Sequence, residues 1–262
     1  MPRHPYRRLR AAQNTLPEVG ISESGNIRSL HLGSDTIQSS MNLNAPAELV
    51  LSYSRAMMGW LLFADPPAHI TQIGLGGGSF ARWTDAHLPD TRQSVVEINP
   101  QVIAVARSLF ELPFEGEHFE IIEADGAQYV KTLLGGTNIL LVDGFDGEQI
   151  IDSLVCPEFF RDCRRALSEN GIFAANWWSG DKRYPRFLAE LSAAFEGRVL
   201  QIPAETHGNI AVTAFCRTPR ELRFDTLKKR AAKLADQYGL DFPALLAAAK
   251  AANPHNGSAF TL

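Results

Sequence analysis

Hydrophobic positions in the middle of the chain fall into four short runs, each closed by glycine or a carboxylate: ITQIGLGGG, SVVEIN, FEIIEADGA and NILLVDGFD. Each run is too short for a free-standing helix and rich in Ile, Val and Leu. The first three lead into helix-like segments, so the pattern predicts buried parallel strands in alternating β and α units, an α/β fold. Helices are predicted over residues 80–87, 100–109, 157–167 and 185–195, several opening on a proline, which is tolerated in a first helical turn. Upstream, VGISES, IRSLHL and TIQSSMNL are separated by Gly25-Asn26 and Gly33-Ser34-Asp35, the alternation and turn chemistry of a small β-meander. Leu49, Tyr53, Ala56, Met57, Trp60 and Leu61 have helical spacing and predict a connecting helix over residues 46–63, stopped by Asp65-Pro66-Pro67. After GIFAANWW, the segments VLQIP and NIAVTAFC, joined by AETHG, predict an antiparallel pair closing the sheet. Beyond Glu221 the sequence reads as helical, and its ending, NPHNGSAFTL, as loose. The expected organisation is an N-terminal tail and β-domain over 1–45, a connecting helix within 46–69, the main α/β domain over 70–219 and a helical extension over 220–262.

In an open sheet of this kind, ligands bind outside the carboxyl ends of the strands. Gly74, Gly76, Gly77, Gly78, Glu97, Asp125, Asp143 and Asp146 should therefore converge on one crevice. The glycine run allows a backbone to come close to a nucleotide, although such a turn is also an ordinary link between strand and helix. Glu97 closes the next strand where a carboxylate can accept bonds from ribose hydroxyls. Asp125, followed by Gly126, is placed to accept from an adenine amino group, to cap the following helix, or both. Together these residues indicate an adenosine-containing ligand. A GxGxxG dinucleotide fingerprint would need glycine where Ser79 stands, and no second mononucleotide-binding half follows, which favours an S-adenosyl compound.

Asp143 and Asp146 flank a turn at the end of the central strand and make a negative pocket suited to a cationic amine. An alkylamine near pKa 10 is mostly protonated at neutral pH, so a carboxylate is needed to hold the cation and help remove its proton. Trp177 and Trp178 are placed to cover this pocket, with at least one expected in the core.

A formal charge of −4 over 262 residues gives no reason to expect nucleic acid. The three cysteines follow no CxxC spacing, which fits a reducing compartment, and the seven histidines show neither HxH nor HExxH, so no metal is expected. No apolar stretch approaches the roughly 20 residues of a membrane span and no signal-peptide core follows the basic start. These features read as a cytoplasmic protein with no membrane partner.

VVEIN, EADGAQYV and LLVDGFDGE carry a resemblance to the polyamine aminopropyltransferases, whose members include spermidine and spermine synthases. The resemblance implies a Rossmann-like, seven-stranded methyltransferase-type sheet with a small N-terminal β-domain, and a homodimer or higher homo-oligomer. It implies ribose binding by Glu97, adenine binding by Asp125 and Gly126, Asp143 as catalytic base, and Asp146 and Tyr53 on the acceptor amine. Gln38 matches the family glutamine between the domains. The group moved would be the aminopropyl arm of decarboxylated S-adenosylmethionine.

Departures from the family pattern bear on substrate. The glycine loop, usually GGGDGG, reads GLGGGS, placing Gly77 where an aspartate would hold the aminopropyl ammonium and repel the carboxylate of S-adenosylmethionine. On that basis Gly77→Asp should sharpen the preference for the decarboxylated donor. The acceptor motif, usually Tyr-His-Glu-Met or Tyr-Gln-Glu-Met, reads Tyr53-Ser54-Arg55-Ala56, with positive charge where a polyamine would meet negative. The segment from Gln38 to Tyr53 is longer than in typical synthases, and NWW from Asn176 replaces a glutamine-containing stretch. Alternatives are a methyltransferase using S-adenosylmethionine and a non-catalytic nucleoside-binding relative.

Overall fold

The computed structural model describes residues 16–144 and 151–262. Its first three strands, β1 (Val19–Ser24), β2 (Ile27–Leu32) and β3 (Ile37–Asn42), form an antiparallel sheet in the order β1-β2-β3. The chain then passes through α1 (Ser52–Met57) and a 3-10 turn (Met58–Leu62) into the main sheet. That part runs β4 (His69–Ile73), α2 (Ser79–His87), β5 (Arg92–Glu97), α3 (Pro100–Leu109), β6 (Phe119–Glu123), α4 (Gly126–Thr132), β7 (Thr137–Val142), α5 (Pro157–Ala166), β8 (Leu167–Trp178), α6 (Tyr184–Ala194), β9 (Val199–Pro203) and β10 (Asn209–Phe215). Two helices follow, α7 (Phe224–Tyr238) and α8 (Phe242–Ala252).

Seven strands make the main sheet in the order β6-β5-β4-β7-β8-β10-β9. All neighbours through β8 are parallel, while β10 is antiparallel to both β8 and β9. The order reverses between β4 and β7, where a crevice opens beyond the strand ends. Alternate residues of β7 face opposite sides: Ile139 and Leu141 pack with the connecting segment, α7 and α8, and Leu140 and Val142 pack with α5 and α6. A strand buried on both faces is therefore apolar throughout, as its sequence is. A third apolar cluster, with Leu30, Met41, Leu75, Val95 and Phe110, joins the small sheet to the main one.

Two local expectations fail for identifiable reasons. The connecting helix does not begin at residue 46, because the backbone carbonyls ahead of α1 are taken by arginines instead of helix N–H groups. Arg82 Nε donates to Pro46 O at 2.6 Å, and Arg55 Nη1 donates to Leu49 O at 2.9 Å and Val50 O at 2.7 Å. The C-terminal segment is not loose either. Phe260 is 4 % exposed, packs edge-on against Phe224 with ring centroids 4.9 Å apart, and its N–H donates to Leu222 O at 3.1 Å.

Candidate active site

β4, β5 and β7 deliver the expected residues to the carboxyl edge of the sheet. Gly74 follows β4 with φ +89°, and its N–H donates to Val96 O at 2.8 Å. A Cβ here would collide with the Asp143 carbonyl oxygen, so only glycine lets the two strand ends come this close.

Glu97 ends β5 and is almost fully buried. Leu75 N–H donates to its Oε2 at 2.9 Å and Asn99 N–H to its Oε1 at 2.8 Å. Burial pushes the carboxyl up from its ordinary value, against the pull of these backbone donors. The carboxylate thus also ties the glycine loop to β5. Two oxygens offer about four acceptor sites, and the backbone N–H groups of Leu75, Gly76, Ile98 and Asn99 all bear on them.

Asp125 is the N-cap of α4. Its Oδ1 accepts from Ala127 N at 2.8 Å and Gln128 N at 3.1 Å, the capping role that its sequence position allowed. Both bonds end on Oδ1. Gly126 begins the helix against Ile73 of β4, where a Cβ would meet the isoleucine side chain.

Asp143 follows β7 and is partly buried. Asn176 Nδ2 donates to its Oδ1 at 3.0 Å, and the Tyr53 hydroxyl is in hydrogen-bonding reach of the same carboxylate. Its single proton is also within reach of the Gln38 carbonyl of β3, 3.0 Å away, so the two acceptors compete for it. Burial raises the Asp143 carboxyl, opposed by the bonds from Asn176 and Tyr53. The Tyr53 phenol is pushed well above its ordinary value by burial and by the neighbouring Asp143 charge. Tyr53, Gln38 and Asp143 therefore come together from three distant parts of the sequence. Asp146 lies outside the described residues.

At the glycine loop, Gly76 has φ +52° and rests on Ser39 of β3. The Ser39 hydroxyl is 3.2 Å from that of Ser79, so the small sheet seats the loop. The buried Arg82 fastens it from the other side, donating from Nη1 to the carbonyls of Gly77 and Phe110, the latter at 2.7 Å. Burial lowers this guanidinium to about 10.

Arg55 does not face Asp143. Besides its two backbone acceptors it pairs with Glu205, Nη2 to Oε2 3.5 Å, in the β9–β10 loop. The same loop is held by Ser52 and Thr206, whose hydroxyls are 2.7 Å apart. The two tryptophans separate: Trp177 is 1 % exposed among Phe160, Tyr184 and Phe187, whereas Trp178 is 47 % exposed.

Sequence reasoning missed Asn209, which donates from Nδ2 to Asn176 Oδ1 at 3.0 Å, and Arg82. Neither carries a local signal, since each acts across a strand or loop pairing. Asn176 had one: a polar amide at the end of an apolar run, on the strand next to that of Asp143. Among the described residues, no group of three or more His, Cys, Asp or Glu is placed to hold a metal ion, and no helix is long and apolar enough to cross a membrane.

A model of the spermine/spermidine synthase domain matches residues 50–179. The polyamine aminopropyltransferase of Neisseria meningitidis serogroup B is 71 % identical over the whole of both chains. Among solved structures, a probable spermidine synthase from Corynebacterium glutamicum superposes with a TM-score of 0.70 at 20 % identity, covering 84 % of this chain and 82 % of that one. A spermidine synthase bound to the transition-state analogue AdoDATO gives 0.65 at 19 % identity, covering 88 % and 84 %. These last two show a shared fold, and the identity to the Neisseria protein shows kinship: the chain belongs to the polyamine aminopropyltransferase family and is a transferase of that type.

Proposed function

We propose that this protein moves the aminopropyl group of decarboxylated S-adenosylmethionine to a small cationic amine, with Asp143 as the base. The observation that carries this reading is the Asp143 carboxylate, partly buried at the strand-order reversal beside the glycine loop, with Asn176 and Tyr53 against it. Glu97 holds the ribose hydroxyls and Asp125, with Gly126, the adenine edge. Gly74, Gly76 and Gly77 admit the nucleoside, and Gln38 and Tyr53 border it and the acceptor. Asp146 is assigned to the acceptor's ammonium from the family resemblance.

The step is an in-line displacement. The amine lone pair attacks the carbon bound to the sulfonium, the C–S bond breaks with its electron pair going to sulfur, and the amine's proton passes to Asp143. Methylthioadenosine leaves as a neutral thioether. A carboxyl raised by burial is a better base near neutral pH than an exposed one. The same reading takes the chain as cytoplasmic and as a homodimer or higher homo-oligomer.

The test supplies purified protein with decarboxylated S-adenosylmethionine or S-adenosylmethionine and a panel of diamines and polyamines. Methylthioadenosine and S-adenosylhomocysteine are followed separately. Methylthioadenosine formed with a diamine supports the reading. S-adenosylhomocysteine as the main product would replace it with methyl transfer.

A further inference from the structure

Three neighbouring strands each bring one polar side chain to the carboxyl edge of the sheet. Val142 is level with Ala175 in the parallel pairing of β7 and β8, which sets Asp143 beside Asn176. In the antiparallel pairing of β10 with β8, Ala211 lies opposite Asn176 and Asn209 opposite Trp178. Asn209 and Asn176 are thus diagonal neighbours on one face, within side-chain reach. Because β10 runs backwards, its first residue is the one that arrives at the crevice.

An asparagine amide has two ends of nearly equal size and opposite character, an NH2 that donates and an oxygen that accepts. A carboxylate only accepts. Asn176, 5 % exposed, presents its NH2 to Asp143 Oδ1 at 3.0 Å, and its oxygen receives Asn209 Nδ2 at 3.0 Å. With the ends exchanged, two acceptors would face each other at Asp143, unless the carboxylate took up a proton, and two NH2 donors would face each other at Asn209. The direction of the Asn176 amide is therefore set from both sides, by a carboxylate that only accepts and by the Asn209 NH2 that donates.

We propose that Asn209 is a positioning residue that, by donating to Asn176 Oδ1, fixes which end of the Asn176 amide faces Asp143 and so keeps a hydrogen-bond donor on the carboxylate. The proposal deepens the reading of Asp143 as the base and rests on it. Among the described residues, the titratable group against Asp143 is the Tyr53 phenol from α1; β4 brings Gly74, β8 Asn176 and β10 Asn209, none of which titrates. Burial already pushes the Asp143 carboxyl up, and the Asn176 bond is the first of the two side-chain bonds that pull it down. Once Asn209 is removed, the amide can turn, and its oxygen then favours the protonated carboxyl, which can donate to it.

The experiment is a 13C NMR titration of protein labelled at the aspartate carboxyl, with the Asp143 resonance assigned as the one lost in Asp143→Asn. Wild type, Asn209→Ala, Asn176→Ala and the double variant are compared, together with the pH dependence of turnover. Asn209→Ala is expected to raise the Asp143 pKa by about one pH unit, the size of one hydrogen bond to a charged group. The acid limb of turnover should move with it, while methylthioadenosine affinity is kept. In the Asn176→Ala background, adding Asn209→Ala should move the titration no further, because the intermediary is gone. If Asn209→Ala does not fold, Asn209→Ser, which keeps a polar group on the strand but cannot reach as far, takes its place. Turnover retained in Asp143→Asn would remove the base reading, yet the titrations would still decide on Asn209. An unchanged Asp143 titration in the Asn209 variant, or an equal displacement with and without Asn176, would overturn the proposal.

Discussion

Gly77 and Phe110 compete for one volume: a Cβ on Gly77 would stand 2.8 Å from two carbons of the Phe110 ring and 2.9 Å from the Ser39 hydroxyl. Phe110 is fully buried, so its ring cannot simply swing away. Gly77→Asp alone is then not a clean restoration of the family aspartate, contrary to what the loop sequence implies. It is expected to destabilise the protein by about 1–3 kcal/mol, the range for overpacking, and to loosen nucleoside binding. A preference for the decarboxylated donor should sharpen only when room is made, as in Gly77→Asp with Phe110→Val. Paired titrations of both donors into the single and double variants check this. A stable single variant with sharpened preference would show that the loop accommodates the side chain unaided.

Glu97 is held by backbone N–H groups on both oxygens, so its orientation does not depend on ligand. Glu97→Gln should weaken methylthioadenosine binding by about 1.5–3 kcal/mol, the range for hydrogen bonds to a charged group. Part of any stability change will come from the bond to Leu75, so calorimetric affinity must be read beside thermal unfolding. Unchanged affinity in a folded variant would take Glu97 out of the nucleoside site.

For Asp143, activity and stability should move in opposite directions. A general base contributes about 10²–10⁴-fold, so Asp143→Asn should lose turnover on that order while methylthioadenosine still binds. Its carboxyl is raised in the folded protein, so between its unfolded and folded pKa values the folded state binds more protons and stability falls as pH rises. That loss begins near the ordinary aspartate value and is complete above the raised one. Asp143→Asn should therefore increase Tm relative to wild type at neutral pH, with the difference shrinking below about pH 4, the unperturbed aspartate value. A difference in Tm that is independent of pH would contradict the raised pKa.

Arg55 is expected to act on the framework and not on the acceptor's charge. Its guanidinium is committed to Leu49 O, Val50 O and Glu205. Arg55→Gln should cost about 1–3 kcal/mol of stability from the two carbonyls left without their donor and leave the acceptor KM unchanged. A fall in KM for a diamine, read from initial rates, would show that the positive charge does reach the amine.

The strands, their parallel arrangement and the convergence of Glu97, Asp125 and Asp143 were legible because both-face burial writes an unbroken apolar run and strand ends are where such runs stop. The meander was legible from its turns. What escaped depended on partners far apart in the chain. The unwound segment before α1 exists because Arg82 and Arg55 occupy its carbonyls, and helical spacing alone cannot register that competition. The ordered C-terminal segment depends on Phe260 finding Phe224, although its composition is that of a free end. Arg55 looked like a charge in the acceptor pocket because its motif position was known and its side-chain direction was not.

The reversed direction of β10 also separates two kinds of change that could befall the enzyme. Residues 204–208, the hairpin between β9 and β10, end where Asn209 begins and carry Glu205, Thr206 and His207, all exposed. Hairpin links tolerate exchange of length and composition far better than the strands they join. Descendants of this scaffold can thus be diversified at the hairpin, by drift or by grafting, wherever the contacts of Glu205 and Thr206 to α1 are kept or replaced, while β7, β8 and the opening residue of β10 hold Asp143 and Asn176 in register.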